Sequence, residues 1–221
     1  MSKRTRISSQ VKNFEHTGIY HVDLGSFLDG QLWEEVFKRV APLDIEVGFG
    51  KGEFLIEIAA ENPDRNYLGF EIDRIRMKWA ELKAYRDGLT NVRFVAGDAL
   101  RLLPEIFKDG EVDRAYLNFP DPWPKTKHAK KRMIGEPLLN EFVRIVKPDG
   151  DIYVVTDVDD YAKVGLKILE SFKPVITNME GEGVIASSLE GYPVTVHEMK
   201  FRKEGRSINF MHYRKAKCPP P

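Results

Sequence analysis

Leu43-Asp44-Ile45-Glu46-Val47-Gly48-Phe49-Gly50-Lys51-Gly52 decides the fold. Five residues rich in β-branched and apolar side chains read as a short buried strand. Three glycines at alternate positions follow, and a helix through Phe54, Leu55, Ile58 and Ala59 begins at once. A strand running through a glycine turn into a helix is the opening of a βαβ unit. Proline at 63 stops that helix.

The alternation continues downstream. Tyr67 to Ile72 is a second predicted strand. The next helix takes Asp73 as N-cap, carries Ile75, Trp79 and Leu82 at helical spacing, and stops at Gly88. Val92 to Ala96 and Val112 to Phe119 read as strands three and four, with a short helix from Leu100 to Phe107 between them. Leu138, Leu139, Phe142 and Val146 mark a helix closing at the Pro148-Asp149-Gly150 turn, and Ile152 to Thr156 is the fifth strand. Tyr161, Val164, Ile168 and Phe172 give the next helix its buried face. Gly181 to Gly191 reads as a surface loop, and two closing strands are expected near Val194–Met199 and Ser207–Tyr213. So many strand–helix repeats predict one α/β domain over residues 1–221. Its sheet should be Rossmann-like and mostly parallel with an antiparallel end strand, and a basic, mobile arm should occupy about residues 1–30.

The totals narrow the chemistry. The chain has 221 residues with 34 basic and 34 acidic side chains, so any attraction for nucleic acid must come from where the charges lie. Cys218 is the single cysteine, and the histidines at 16, 21, 128, 197 and 212 show no ligand spacing, which predicts no metal. No leader-like apolar region follows the basic start and no apolar run reaches bilayer length, so a cytoplasmic protein without membrane contact is expected. The sequence carries no signature of oligomeric state.

Ligands of open α/β sheets bind beyond the carboxyl ends of the strands. Glu46, Glu71, Asp98 and Asp121 fall at or just past the ends of predicted strands one to four, and should meet along one edge. Gly48, Gly50 and Gly52 would let the backbone approach a ligand closely. So many carboxylates would repel a pyrophosphate but welcome a cationic cofactor with a ribose diol. S-adenosylmethionine, with its sulfonium, ammonium and ribose hydroxyls, has those features. Glu71 is placed to accept from the ribose and Asp98 from the adenine amino group.

Leu117-Asn118-Phe119-Pro120-Asp121-Pro122-Trp123-Pro124-Lys125 follows strand four. Its prolines should disfavour the α region at Phe119, Asp121 and Trp123, holding Asp121 on a stiff, extended segment. Lys125-Thr126-Lys127-His128-Ala129-Lys130-Lys131-Arg132 comes next, with five formal positive charges and no acid. Beside a presumed reaction site, that run suits a grip on an RNA backbone.

These segments resemble the tRNA (guanine-N7-)-methyltransferase family of the bacterial TrmB type, from about Asp44 to Tyr213. Pro120-Asp121-Pro122-Trp123 with the Lys-x-Lys-His-x-Lys-Lys-Arg run is the most specific part. Glu46-Val47-Gly48-Phe49-Gly50 and Gly69-Phe70-Glu71 are also similar to the family's cofactor segments. The resemblance implies that Glu46, Glu71, Asp98 and Asp121 contact or line the site of S-adenosylmethionine, with Asp121 also catalytic. It implies substrate contacts from Lys125, Asp157 and the Thr195-x-x-Glu198 pair, and RNA contacts from Lys127, His128, Lys130, Lys131 and Arg132. Methylation of the variable-loop guanine at position 46 of tRNA is implied by the resemblance alone. One departure is His197, where the family has an aromatic residue before the glutamate; His197 itself reads as a strand residue. Two rival readings remain open at this point: a methyltransferase acting on an exocyclic amine, and a non-catalytic RNA-binding subunit on the same fold.

Overall fold

A computed structural model describes residues 20–25, 32–122 and 132–217. After a short helix α1 (Trp33–Phe37), strands and helices alternate: β1 (Leu43–Val47), α2 (Glu53–Glu61), β2 (Asn66–Glu71), α3 (Arg74–Arg86), β3 (Val92–Ala96), α4 (Ala99–Ile106), β4 (Val112–Asn118), α5 (Glu136–Ile145), β5 (Val146–Thr156) and α6 (Asp159–Glu170). The chain closes with β6 (Ile176–Asn178), α7 (Val196–Lys203) and β7 (Asn209–Lys215). The sheet order is β3-β2-β1-β4-β5-β7-β6. Strands β1 to β5 pair in parallel, and β7 lies antiparallel between β5 and β6.

Side-chain alternation builds two layers of core. Ile45, Val47, Leu68, Phe70, Val95, Ala115 and Leu117 face α4, α5 and α6. Tyr67, Phe94 and Tyr116 face the side of α2 and α3, where Phe49, Phe54, Leu55 and Ala80 pack. On β1, Asp44 and Glu46 alternate with the apolar positions and are buried too. Asp44 is answered by a two-toothed bond from the Arg65 guanidinium at 2.8 and 2.6 Å.

Several sequence expectations shift in the structure. Residues 20–22, inside the expected mobile arm, are pinned along β3: the Val22 N–H donates to the Phe94 carbonyl at 3.0 Å and the Phe94 N–H to the Tyr20 carbonyl at 2.7 Å. Tyr20 and Val22 are buried, so this part of the arm covers the outer edge of the sheet. The Pro148-Asp149-Gly150 signal is not a break before β5 but an excursion within it. Pairing with β4 slips between Val112 and Arg114, and Asp149 takes a φ of 63°. A Cβ at Gly150 would stand 2.6 Å from the Asp113 carbonyl, so only glycine fits that close approach.

The largest correction concerns the segment read as a closing strand. Val196–Lys203 is helix α7, because Thr195 caps it: its Oγ1 accepts the Glu198 N–H at 3.0 Å. Lys200, Arg202 and Lys203 then complement the last turn. The Ser207–Tyr213 expectation corresponds to β7.

Candidate active site

The parallel order reverses at β1, with β2 on one side and β4 on the other, which opens a crevice beyond their carboxyl ends. The glycine loop forms its floor. Gly48, Gly50 and Gly52 have φ of 74°, 61° and 78°, a region that side chains resist. Phe49 turns back over bare Gly69 on β2, where a Cβ would lie 2.5 Å from the Phe49 ring. Glu71, buried at the end of β2, braces the loop from beneath. Its Oε2 accepts the Gly50 N–H at 2.9 Å and its Oε1 the Asp73 N–H at 2.9 Å. A carboxylate has about four acceptor sites, so two remain for a ligand.

Glu46 is the most unusual group in this region. It is 2 % exposed, its Oε1 accepts the Asn118 side-chain N–H at 3.0 Å, and its Oε2 is buried with no hydrogen-bond partner. Burial pushes its carboxyl up to about 8, Glu53 and Glu71 push the same way, and the Asn118 bond opposes them. A glutamate in the unfolded chain titrates near 4.5, so the folded protein holds this proton more tightly. Folding stability therefore declines as pH rises between about 4.5 and 8. Glu46→Gln cannot ionise and should lose that decline. The stability gap between variant and wild type, followed by urea unfolding of the ligand-free protein, should widen with pH across this window. A constant gap would sink the assignment.

A cleft of about 380 Å³ stands over the loop. Glu46, Gly48, Gly50, Lys51, Glu53 and Phe54 line it from below, Asn118, Phe119 and Asp121 from the end of β4, and Thr195, His197, Lys200 and Phe201 from α7 and its cap. Arg76 of α3 completes the wall. Asp121 is exposed here, and the segment leading to it is not extended throughout as the prolines suggest. Phe119 has a φ of 47°, in the left-handed region, while its N–H donates to the Val155 carbonyl at 2.8 Å. That turn brings the Phe119 ring beside His197 at 6.1 Å and Phe201 at 5.5 Å.

Not every predicted residue lines the cleft. Glu71 and Gly52 are not among the residues that line it, and Asp98 lies past β3, where its carboxylate accepts the Leu100 N–H at 3.1 Å and caps α4. Asp157 is held by Arg206 at 2.6 Å and Glu198 by Arg202 at 2.8 Å. Thr195 reaches the cleft only as a helix cap, and His197 does so from a helix rather than a strand. Lys125, Lys127, His128, Lys130 and Lys131 lie outside the described residues; Arg132 is described and does not line the cleft. Sequence reasoning missed Arg76, Phe119, Lys200 and Phe201, and the Thr-x-x-Glu capping signature was the cue that would have exposed α7.

A family model described as "Putative methyltransferase" matches residues 40–211. A tRNA (guanine-N(7)-)-methyltransferase of Streptococcus thermophilus is 36 % identical over 176 residues, covering 80 % of this chain and 82 % of its own. One from Geobacter metallireducens is 34 % identical over 187 residues, covering 83 % and 87 %. The chain belongs to the tRNA (guanine-N7-)-methyltransferase family.

As a member, the protein is a methyltransferase whose methyl donor is S-adenosyl-L-methionine. The solved structure of a 16S rRNA methyltransferase, KamB, superposes with a TM-score of 0.61 at 15 % identity, covering 83 % of this chain and 92 % of that one. That likeness fixes the shared fold: a Rossmann-like methyltransferase sheet with its antiparallel strand near one end. The donor's cationic character fits what the tRNA (guanine-N7-)-methyltransferase cleft offers, because the unpartnered, buried Glu46 oxygen calls for a positive group. Among the described residues no cluster of histidine, cysteine or carboxylate side chains could hold a metal ion, and no helix is long and apolar enough to cross a membrane.

Proposed function

We propose that this protein methylates N7 of the guanine at position 46 in the variable loop of tRNA, with Asp121 as its catalytic residue. The observation that carries this reading is the pairing, in one cleft, of the buried Glu46 carboxyl with the exposed Asp121 carboxyl and a trio of aromatic rings. Bound S-adenosylmethionine supplies an electrophilic methyl group on a sulfonium centre. Glu46 and the glycine loop hold the donor's cation and backbone, with Glu71 and Asp98 along the same edge taking its ribose and adenine.

Guanine N7 carries a lone pair and no proton at neutral pH, so the protein need supply no general base. Positive charge grows on the purine as the new bond forms, and a fixed carboxylate at Asp121 offsets it. The same carboxylate can accept from guanine N1–H and the amino group. Phe119, His197 and Phe201 present faces on which an unstacked base can lie. Arg76 and Lys200 stand at the rim as partners for flanking phosphates.

Incubation with labelled methyl donor and unmodified tRNA, followed by mapping of the modified base, tests the reading. N7-methylguanosine in the variable loop is expected; an amine-methylated nucleoside would overturn it. Replacing Lys130, Lys131 and Arg132 together with alanine should weaken tRNA binding and reduce the slope of log affinity against log salt by about two to three. An unchanged slope would remove these residues from the RNA grip.

A further inference from the structure

Tyr192 follows directly on the loop that the sequence marks only as glycine-rich surface, and its half-buried ring packs against the core. It stacks on Phe54 at 5.4 Å and meets Tyr153 at 5.4 Å and Phe210 at 5.6 Å. Those contacts fix where its hydroxyl sits. The hydroxyl donates to Asn118 Oδ1 at 2.5 Å, and the Asn118 amide N–H in turn donates to Glu46 Oε1 at 3.0 Å. We propose that Tyr192 is a positioning residue: its single proton sets the orientation of the Asn118 amide, and so holds Glu46 as a charged acceptor for the cationic methyl donor. The inference rests on the assignment of that donor to this cleft.

The logic lies in the asymmetry of the amide. With Oδ1 engaged by Tyr192, only the NH₂ side can face Glu46, and an N–H donor favours the ionised carboxylate. A flipped amide would present its oxygen instead, which favours the protonated acid. Burial pushes the Tyr192 hydroxyl well above its ordinary range, so it stays a donor wherever Glu46 titrates. Glu46 is poised for such control because its carboxyl sits at about 8. The charges facing it are Glu53 on α2 and Glu71 on β2, both opposing ionisation, with the Tyr192 hydroxyl nearby. Lys51, Arg76, Asp121, His197 and Lys200 line the same cleft from the loop, α3, the β4 end and α7.

Calorimetric titration of the full chain with S-adenosylmethionine, repeated across the pH range around 8, tests the chain of bonds. Wild-type affinity should rise with pH through a midpoint set by Glu46. Tyr192→Phe keeps the ring stacking and should move that midpoint upward by about one unit, weakening binding about tenfold on the acid side and recovering at high pH. Asn118→Ala should give the same shift, and the Tyr192→Phe/Asn118→Ala double variant no larger one. An unmoved midpoint, an equal loss at every pH, or additive shifts in the double variant would overturn the proposal. Absence of binding by the wild type at every pH would instead defeat the donor assignment itself.

Discussion

Asp121→Ala should slow methyl transfer by about a hundredfold or more while the protein melts within a few degrees of wild type. The reasoning separates two contributions. Asp121 is exposed in the cleft, between Pro120 and Pro122, and the prolines rather than the carboxylate shape the backbone there. Removing the side chain therefore leaves no cavity in the core and no buried partner unpaired. What is lost is a negative charge at the place where positive charge develops on the acceptor, a loss felt most in the transition state, together with the hydrogen bonds that hold the guanine before transfer. Single-turnover transfer from labelled donor should fall, whereas donor affinity measured by titration should change little. Asp121→Asn, which keeps a hydrogen-bond acceptor but not the charge, should fall between the two. Wild-type turnover in the alanine variant would take Asp121 out of the mechanism.

Gly69→Val should cost about 3 kcal/mol of stability through overpacking, and with it much of the affinity for the methyl donor. A Cβ at this position would lie 2.5 Å from both Leu55 Cδ2 and Phe49 Cδ1 and 2.8 Å from Phe49 Cε1. Leu55 is fully buried on α2 and cannot retreat. Phe49 can move only by pulling the glycine loop with it, away from the Glu71 carboxylate that holds the Gly50 N–H. Thermal unfolding should show a fall of about 10 °C for a domain of this size. The donor titration should weaken in parallel. Lower melting with untouched affinity would show that the loop is positioned independently of the β2 surface.

Within the parallel half of the sheet, β1 and β3 were the most legible, because each is a short, mostly apolar run followed at once by a glycine, Gly48 after β1 and Gly97 after β3. β1 and β3 occupy the residues that the pattern indicates, and Asp73 caps α3 through the Ile75 and Arg76 N–H groups as its position suggests. The edge beyond those strands was equally readable, since acids at successive strand ends in a parallel sheet must share one rim. How each acid is used was not. Whether Glu71 faces a ligand or braces a loop depends on where Gly50 lies, which is a tertiary fact.

The second half was harder to read. Val194-Thr195-Val196 alternates like a strand, and the cap that turns it into a helix acts through one side-chain oxygen. β6 has three residues, too few for a period to show, and its place is set by β7. The left-handed turn at Phe119 contradicts the local preference of a residue before proline for extended backbone. Its N–H bond to β5 and the packing of its ring against α7 override that preference.

That β7 is wedged between β5 and β6 also has a bearing on how the molecule comes into being. β6 is synthesised before β7 yet touches the sheet only through it, so it has no neighbour to pair with until the later strand arrives. The loop bearing Tyr192 and the helix α7 are strung between these two strands. During synthesis the half of the molecule that would grasp the methyl donor can assemble first, while the wall facing the acceptor waits for β7 to slot in.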